Sequence, residues 1–131
     1  MKDLKNNVSV VQSLLPASRT AAVNGAGVDL QGFNSACVVV DAAASGGTSP
    51  DFTFEVQESD DNSTFTAVAD ADLQGAEPQI TGANDNAVYR VGYVGYKRYI
   101  RSVIKTVTGT SPTLLCSSSI ILGDASQAPV A

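Results

Sequence analysis

Histidine and tryptophan are absent from this 131-residue chain, methionine occurs once and cysteine twice. Without histidine the chain lacks the side chain that most often moves protons near neutral pH, and with it the Ser-His and Cys-His nucleophile pairs. Cys37 and Cys116 lie inside the apolar runs ACVVV and TLLCSSSIIL, where burial disfavours a thiolate. They read as small buried thiols; a disulfide is the alternative, and a cytoplasmic protein rarely keeps one. Apolar runs such as Ala36–Val40 and Ile120–Leu122 fall far short of the ~20 residues that cross a bilayer, so no membrane anchor is expected. Positive charge is scarce as well. Eight Lys and Arg against thirteen Asp and Glu leave a net charge of −5, which argues against general binding to nucleic acid or to an anionic membrane. The opening MKDLKNNVSVVQSLL lacks the long apolar core and small-residue cleavage site of a secretory leader, so synthesis in a cytoplasm is expected.

Two acidic or glycine-rich segments invite a ligand reading. ESDDNS offers Glu58, Asp60 and Asp61 as oxygen donors, but it lacks the regular spacing and central glycine of a calcium loop and reads as a solvated turn closed by Asx hydrogen bonds. The glycines of GAGVDLQG stand in no strand–loop–helix unit and serve turns rather than a phosphate cradle. No catalytic residue, metal or cofactor is expected, and an enzyme is the least favoured class.

What the chain does contain is period-two alternation. In DFTFEVQES, Phe52, Phe54 and Val56 share one face while Thr53, Glu55 and Gln57 share the other, the pattern of a strand between core and water. SACVVVDA is apolar on both faces and β-branched, as a central strand is, and TLLCSSSIIL places Leu114, Cys116, Ile120 and Leu122 together. STFTAV, AVYRVGYV and RYIRSVIKTV complete six strands, with weaker edge pieces in TAAVNGAGVDL. The clusters NGAG, SGGTSP, SDDNS, GANDN and TGTSP punctuate them as turns. Short strands, frequent turns and no βα alternation predict a single antiparallel β-sandwich or jelly-roll over residues 20–123.

Residues 1–19 break the rhythm. Leu4, Val8, Val11 and Leu15 recur at helical spacing between a candidate cap, Asp3, and Pro16, while Val8, Val10 and Val11 favour extended chain. The segment is read as an arm, extended or as a short helix, and residues 124–131 as a small-residue tail. Both are placed to reach neighbouring molecules.

Residues 88–105 hold all four tyrosines and five of the eight basic side chains. Tyr93, Tyr96 and Tyr99 with Arg90, Lys97, Arg98 and Arg101 suit either a stacking surface for single-stranded nucleic acid or a hairpin in which VYRVGYV pairs with RYIRSVI through GYK. Charge layout favours protein contact. Residues 21–89 carry eleven acidic groups and no cation, and residues 90–105 carry five cations and no acidic group, a dipolar pattern that fits a protein partner or a second copy better than a polyanion. The candidate contact residues are Leu4, Val8, Val11, Leu15, Arg90, Tyr93, Tyr96, Lys97, Arg98 and Arg101.

FTFEVQESDDNSTFTAVADADL followed by VYRVGYVGYKRYIRSVI, together with MKDLKNNVSVVQSLLPA and GVDLQGFNSACVVVDA, resembles the small virion proteins of tailed bacteriophages and prophages whose genes often lie beside the major capsid protein gene. The resemblance implies a capsid decoration, or cement, protein on the outer surface of the assembled shell. Its implied partners are the major capsid protein and copies of itself, as dimers or trimers, and its implied location is the virion surface after synthesis in the host cytoplasm. A head–tail connector or tail-tube subunit is the alternative, and a carbohydrate-binding module is disfavoured by the missing tryptophan. The resemblance carries no residue roles.

Overall fold

The computed structural model describes residues 2–127 and 129–130; Met1, Ala128 and Ala131, which fall in the expected arm and tail, lie outside them. Nine strands run β1 Ser9–Arg19, β2 Val23–Asn24, β3 Val28–Asp29, β4 Phe33–Ser59, β5 Thr66–Ala67, β6 Leu73–Gln74, β7 Gln79–Thr81, β8 Ala87–Tyr93 and β9 Tyr99–Ala125, with one 3-10 turn at Asp70–Asp72. All pairings are antiparallel and belong to one sheet of order β1-β9-β4-β8-β6, to which β2 and β3 add along β9, and β5 and β7 along β4. The all-β, antiparallel class read from the alternation holds, in the form of one continuous sheet.

That sheet folds over on itself. β4 and β9 each run 27 residues and pair from Phe33↔Ala125 to Ser59↔Tyr99. A straight strand of that length would span about 90 Å, against a radius of gyration of about 14 Å for a compact chain of this size. Ser13 in β1 lies beside Ser118 and Ser119 in the second half of β9, yet its Oγ accepts the N–H of Ser102 from the first half at 2.9 Å. At the opposite edge Tyr93, paired with Ala36 in the first half of β4, donates its hydroxyl to Glu58 in the second half at 2.8 Å. Both long strands therefore double back, and Val38, Val40, Leu114, Cys116 and Ile120 from one layer join Phe52, Phe54, Ile100 and Ile104 from the other in a single core.

SGGTSP and TGTSP make the corner, where the sequence reading had placed turns between strands. The ladder continues through both segments with register shifts at Ala42/Ser45, Gly46/Thr48 and Thr48/Asp51. Gly47 (φ 92°), Ser49 (φ 50°), Gly109 (φ 118°) and Ser111 (φ 48°) take left-handed conformations there. Gly and Ser at these positions bend the ribbon instead of ending it, because each segment finds its hydrogen-bonding partner in the other.

Three further expectations are corrected. Residues 3–15 take, from Ser9 onward, the extended and not the helical of the two expected forms, and they are no free arm, since Ser9–Arg19 pairs with Leu114–Leu122 and Leu14, only 2% exposed, enters the core. The ladder partner and the β-branched valines outweigh the helical spacing. β1 is thus a sheet member, not a detachable arm. VYRVGYV and RYIRSVI do not pair as a hairpin: β8 pairs with β4 and β6, while the start of β9 pairs with β3 and with the second half of β4. Residues 94–98 cross between layers instead. Within STFTAV only Thr66–Ala67 pairs, because Asp61 draws the N–H groups of Ser63 and Thr64 into a turn. In the expected tail, Ser126 donates to the Gly32 carbonyl and Val130 to that of Asn6, so its described residues bond to their own chain.

Candidate partner-binding surfaces

The crossing segment 94–98 is pinned from every side. Val94 donates its N–H to the Asp72 carbonyl at 2.8 Å, and the Arg98 carbonyl accepts the Leu30 N–H at 2.7 Å. Between them the Tyr93 ring folds under Gly95, where a Cβ would meet the ring and its hydroxyl at 2.6–2.7 Å, and that hydroxyl accepts the Lys97 N–H at 3.0 Å. Burial, with help from the Glu58 carboxylate, drives the Tyr93 hydroxyl far above its ordinary value, so it stays protonated and donating.

The basic side chains of this region reach back to the acidic segment. Lys97 Nζ meets Asp60 at 2.7 Å, and Arg98 grips Asp29 with two hydrogen bonds of 2.9 and 2.8 Å. Each pair stabilises its charged forms: the hydrogen bond from Arg98 holds Asp29 below the ordinary carboxylate value, and the one to Asp60 raises Lys97. Arg101 donates twice to Gln57 Oε1 and lies 4.0 Å over the Phe65 ring; burial lowers its pKa. Lys105 pairs with Glu55 at 3.2 Å. The two charge blocks of the sequence thus largely meet within the molecule rather than forming opposite poles. Beside the part-exposed, ion-paired Lys97 and Arg98, the pinned segment presents Val94, half exposed, and Tyr96, at 96% the most exposed of the large apolar side chains. An open cleft of about 620 Å³ lies beside it, walled by Leu30–Ala36 and Tyr93–Arg98 with Gln74 between.

A second surface is the outward face of the first layer. In β8 the buried Val91 and Tyr93 alternate with Val88, Arg90 and Gly92, and in β9 Leu114, Cys116, Ser118 and Ile120 alternate with Leu115, Ser117, Ser119 and Ile121. Register aligns the outward rows as Val10–Ile121–Cys37–Gly92 and Gln12–Ser119–Val39–Arg90, with Ser117–Asp41–Val88 beyond. Val10, Val88 and Leu115 are each more than half exposed, as is Leu15 in the bulge at the edge of β1. Only Asp41 and Arg90 bring charge to these rows, and neither joins an ion pair among the described residues. On the second layer, by contrast, Lys105–Glu55 and Arg101–Gln57 cover the outward side.

The expected contact residues are therefore dispersed. Tyr96 is displayed, Tyr93 is buried as a support, and Lys97, Arg98 and Arg101 are engaged in cis. Leu4 is exposed and Val8 half-buried ahead of β1, while Val11 pairs with Ile120 at the sheet edge. They do not join Leu15 in one stripe. The acidic turn spends its oxygens locally: Asp61 accepts from Thr64, Ser63 and Ser59, which lower its pKa, and Asp60 and Glu58 face Lys97 and Tyr93. Val88 and Leu115 were missed by the sequence reading, although both stand out of phase with the buried alternation of their strands. Comparison of the chain with models of known protein families finds no match, and no curated protein matches it.

Proposed function

We propose that this chain is a non-enzymatic structural protein of a phage virion, a decoration or cement protein that binds the major capsid protein on the outside of the assembled shell. The observation that carries the reading is the presentation of Tyr96 and Val94 on a segment immobilised by Glu58, Asp60, Asp29 and Asp72. An exposed aromatic on a rigid support is what a macromolecular interface uses as an anchor, because little conformational entropy remains to be lost on docking. The resemblance of the sequence to small proteins encoded beside capsid genes supplies the identity of the partner. Selective binding to the assembled lattice stabilises that lattice by mass action.

Tyr96→Ala tests it. The side chain is almost fully solvated, so the melting temperature is expected to stay unchanged while add-back to stripped capsids yields fewer bound copies and less survival under heat. Quantitative mass spectrometry of virions is expected to find copies in proportion to the major capsid protein. A handful of copies per particle would move the protein to the head–tail connector or tail tube, and unaltered attachment of Tyr96→Ala would remove the anchor role.

A further inference from the structure

We infer that the outward face of the first layer is a self-docking surface, on which two copies of this chain pack sheet against sheet about a twofold axis. The proposal goes beyond the virion reading and does not rest on it.

Three properties point to a second copy as the occupant. The first is depletion of charge. In a chain with 21 charged side chains, these rows hold two, beside Val10, Val88, Leu115 and the edge residue Leu15, all largely exposed. Interface cores are marked by loss of charge more than by bulk hydrophobicity.

The second is self-complementarity of the two charges that remain. Val39 stands opposite Arg90 and Asp41 opposite Val88, so Asp41 and Arg90 are diagonal neighbours on adjoining strands. A twofold axis lying in the interface, perpendicular to the line joining them, brings each Asp41 onto the Arg90 of the other copy and forms two ion pairs at once. On ideal ladder spacing that axis passes close to Val88 and Val10, so each of these exposed valines meets its own symmetry mate. One operation satisfies both the charged and the apolar groups.

The third is area. Four strands about 4.8 Å apart, read over roughly eight residues of about 3.4 Å, give a footprint of about 500 Å² per copy, or about 1,000 Å² for the pair, the lower bound for a specific interface. The expected product is a modest, concentration-dependent dimer. An isologous face-to-face contact closes at two copies and builds no larger ring.

The experiment uses the purified full chain without shells, by sedimentation equilibrium over a range of concentrations. Wild type is expected to shift from monomer to dimer, and Val88→Glu to remain monomeric with an unchanged thermal melt. Arg90→Asp, which sets two carboxylates against each other in each pair, is expected to abolish the dimer, and Arg90→Asp combined with Asp41→Arg to restore it. A generic apolar contact would not show that rescue. Wild type that stays monomeric at its highest soluble concentration overturns the proposal, as does a trimer, a dimer untouched by Val88→Glu, or failure of the double charge swap. Monomeric wild type whose Val88→Glu form also loses attachment to capsids would assign the face to the shell protein instead. Because capsids play no part in the dimer measurement, its failure leaves the virion proposal standing, and failure of capsid binding leaves the dimer standing.

Discussion

A single hydroxyl does much of the closure at one edge of the sheet. Ser13 Oγ accepts the Ser102 N–H at 2.9 Å and donates to the Ala26 carbonyl at 2.8 Å, and the Ala26 N–H returns to the Ser13 carbonyl. Ser13 and Ser102 are both buried, so Ser13→Ala leaves the Ser102 N–H without partner or water. The expected loss is about 1–3 kcal/mol, the desolvation penalty of an orphaned donor, and chemical denaturation with an unchanged m-value would report it. Phe54→Ala empties a site in the common core and is expected to cost about 3–5 kcal/mol; a near-neutral result would remove Phe54 from that core. The two residues differ in legibility. Phe54 announces itself by alternation with Thr53 and Glu55, a local pattern. Ser13 does not, because its partner lies in a distant strand, and neither does Arg98, whose carboxylate Asp29 is 69 positions away. Counting charges along the chain gave two opposed blocks, and only the fold brings those blocks together.

At the scale of elements, composition recorded where the chain bends but not whether pairing continues through the bend. SGGTSP and TGTSP carry the residues of any tight turn, and nothing local to either shows that it lies alongside the other. Their conformations depend on glycine at two points. A Cβ on Gly47 would stand 2.3 Å from the Ser111 carbonyl oxygen, and one on Gly109 2.6 Å from that of Ser49; both residues have positive φ. The left-handed conformation alone costs a residue with a Cβ about 1–2 kcal/mol, and backbone carbonyls cannot swing away as a side chain can. Gly109→Ala is therefore expected to lower the melting temperature clearly, whereas Gly32→Ala, with φ 92° but open space around the Cβ, pays only the conformational part. Equal effects at the two sites would mean that the corner is looser than its contacts imply. The same scale explains the misread N-terminus. Helical spacing of four apolar residues is weak evidence beside an available edge on β9, and Leu14, which falls off that stripe, is the residue that enters the core.

For the whole molecule, acid stability is set by carboxylates shifted in opposite directions. Asp29, Asp61 and Asp85 lie below the ordinary aspartate value of 3.8, through hydrogen bonds first from Arg98, from the Thr64 N–H and from the Ser45 N–H respectively. Each contributes stability that is present above pH 3.8 and lost as pH falls through its depressed folded value. Glu77 is shifted the other way. Burial raises it above the ordinary 4.5, and Glu55 and Asp70 add to the rise while its bond from the Val56 N–H and nearby Lys105 oppose it. A raised carboxylate favours the folded state fully below pH 4.5, and that contribution is lost as pH rises through the folded value. The two sets act in adjoining windows, so the melting temperature is expected to rise modestly on acidification from neutrality toward pH 4.5 and then to fall below pH 3.8. Glu77→Gln keeps an oxygen for the Val56 N–H but cannot ionise, so it should erase the rise and leave the acid limb intact. Arg98→Gln should do the reverse, weakening the acid limb by returning Asp29 toward its ordinary value. A Glu77→Gln protein whose melting temperature still climbs between pH 7 and pH 4.5 would mean that another carboxylate in the fold carries the raised value.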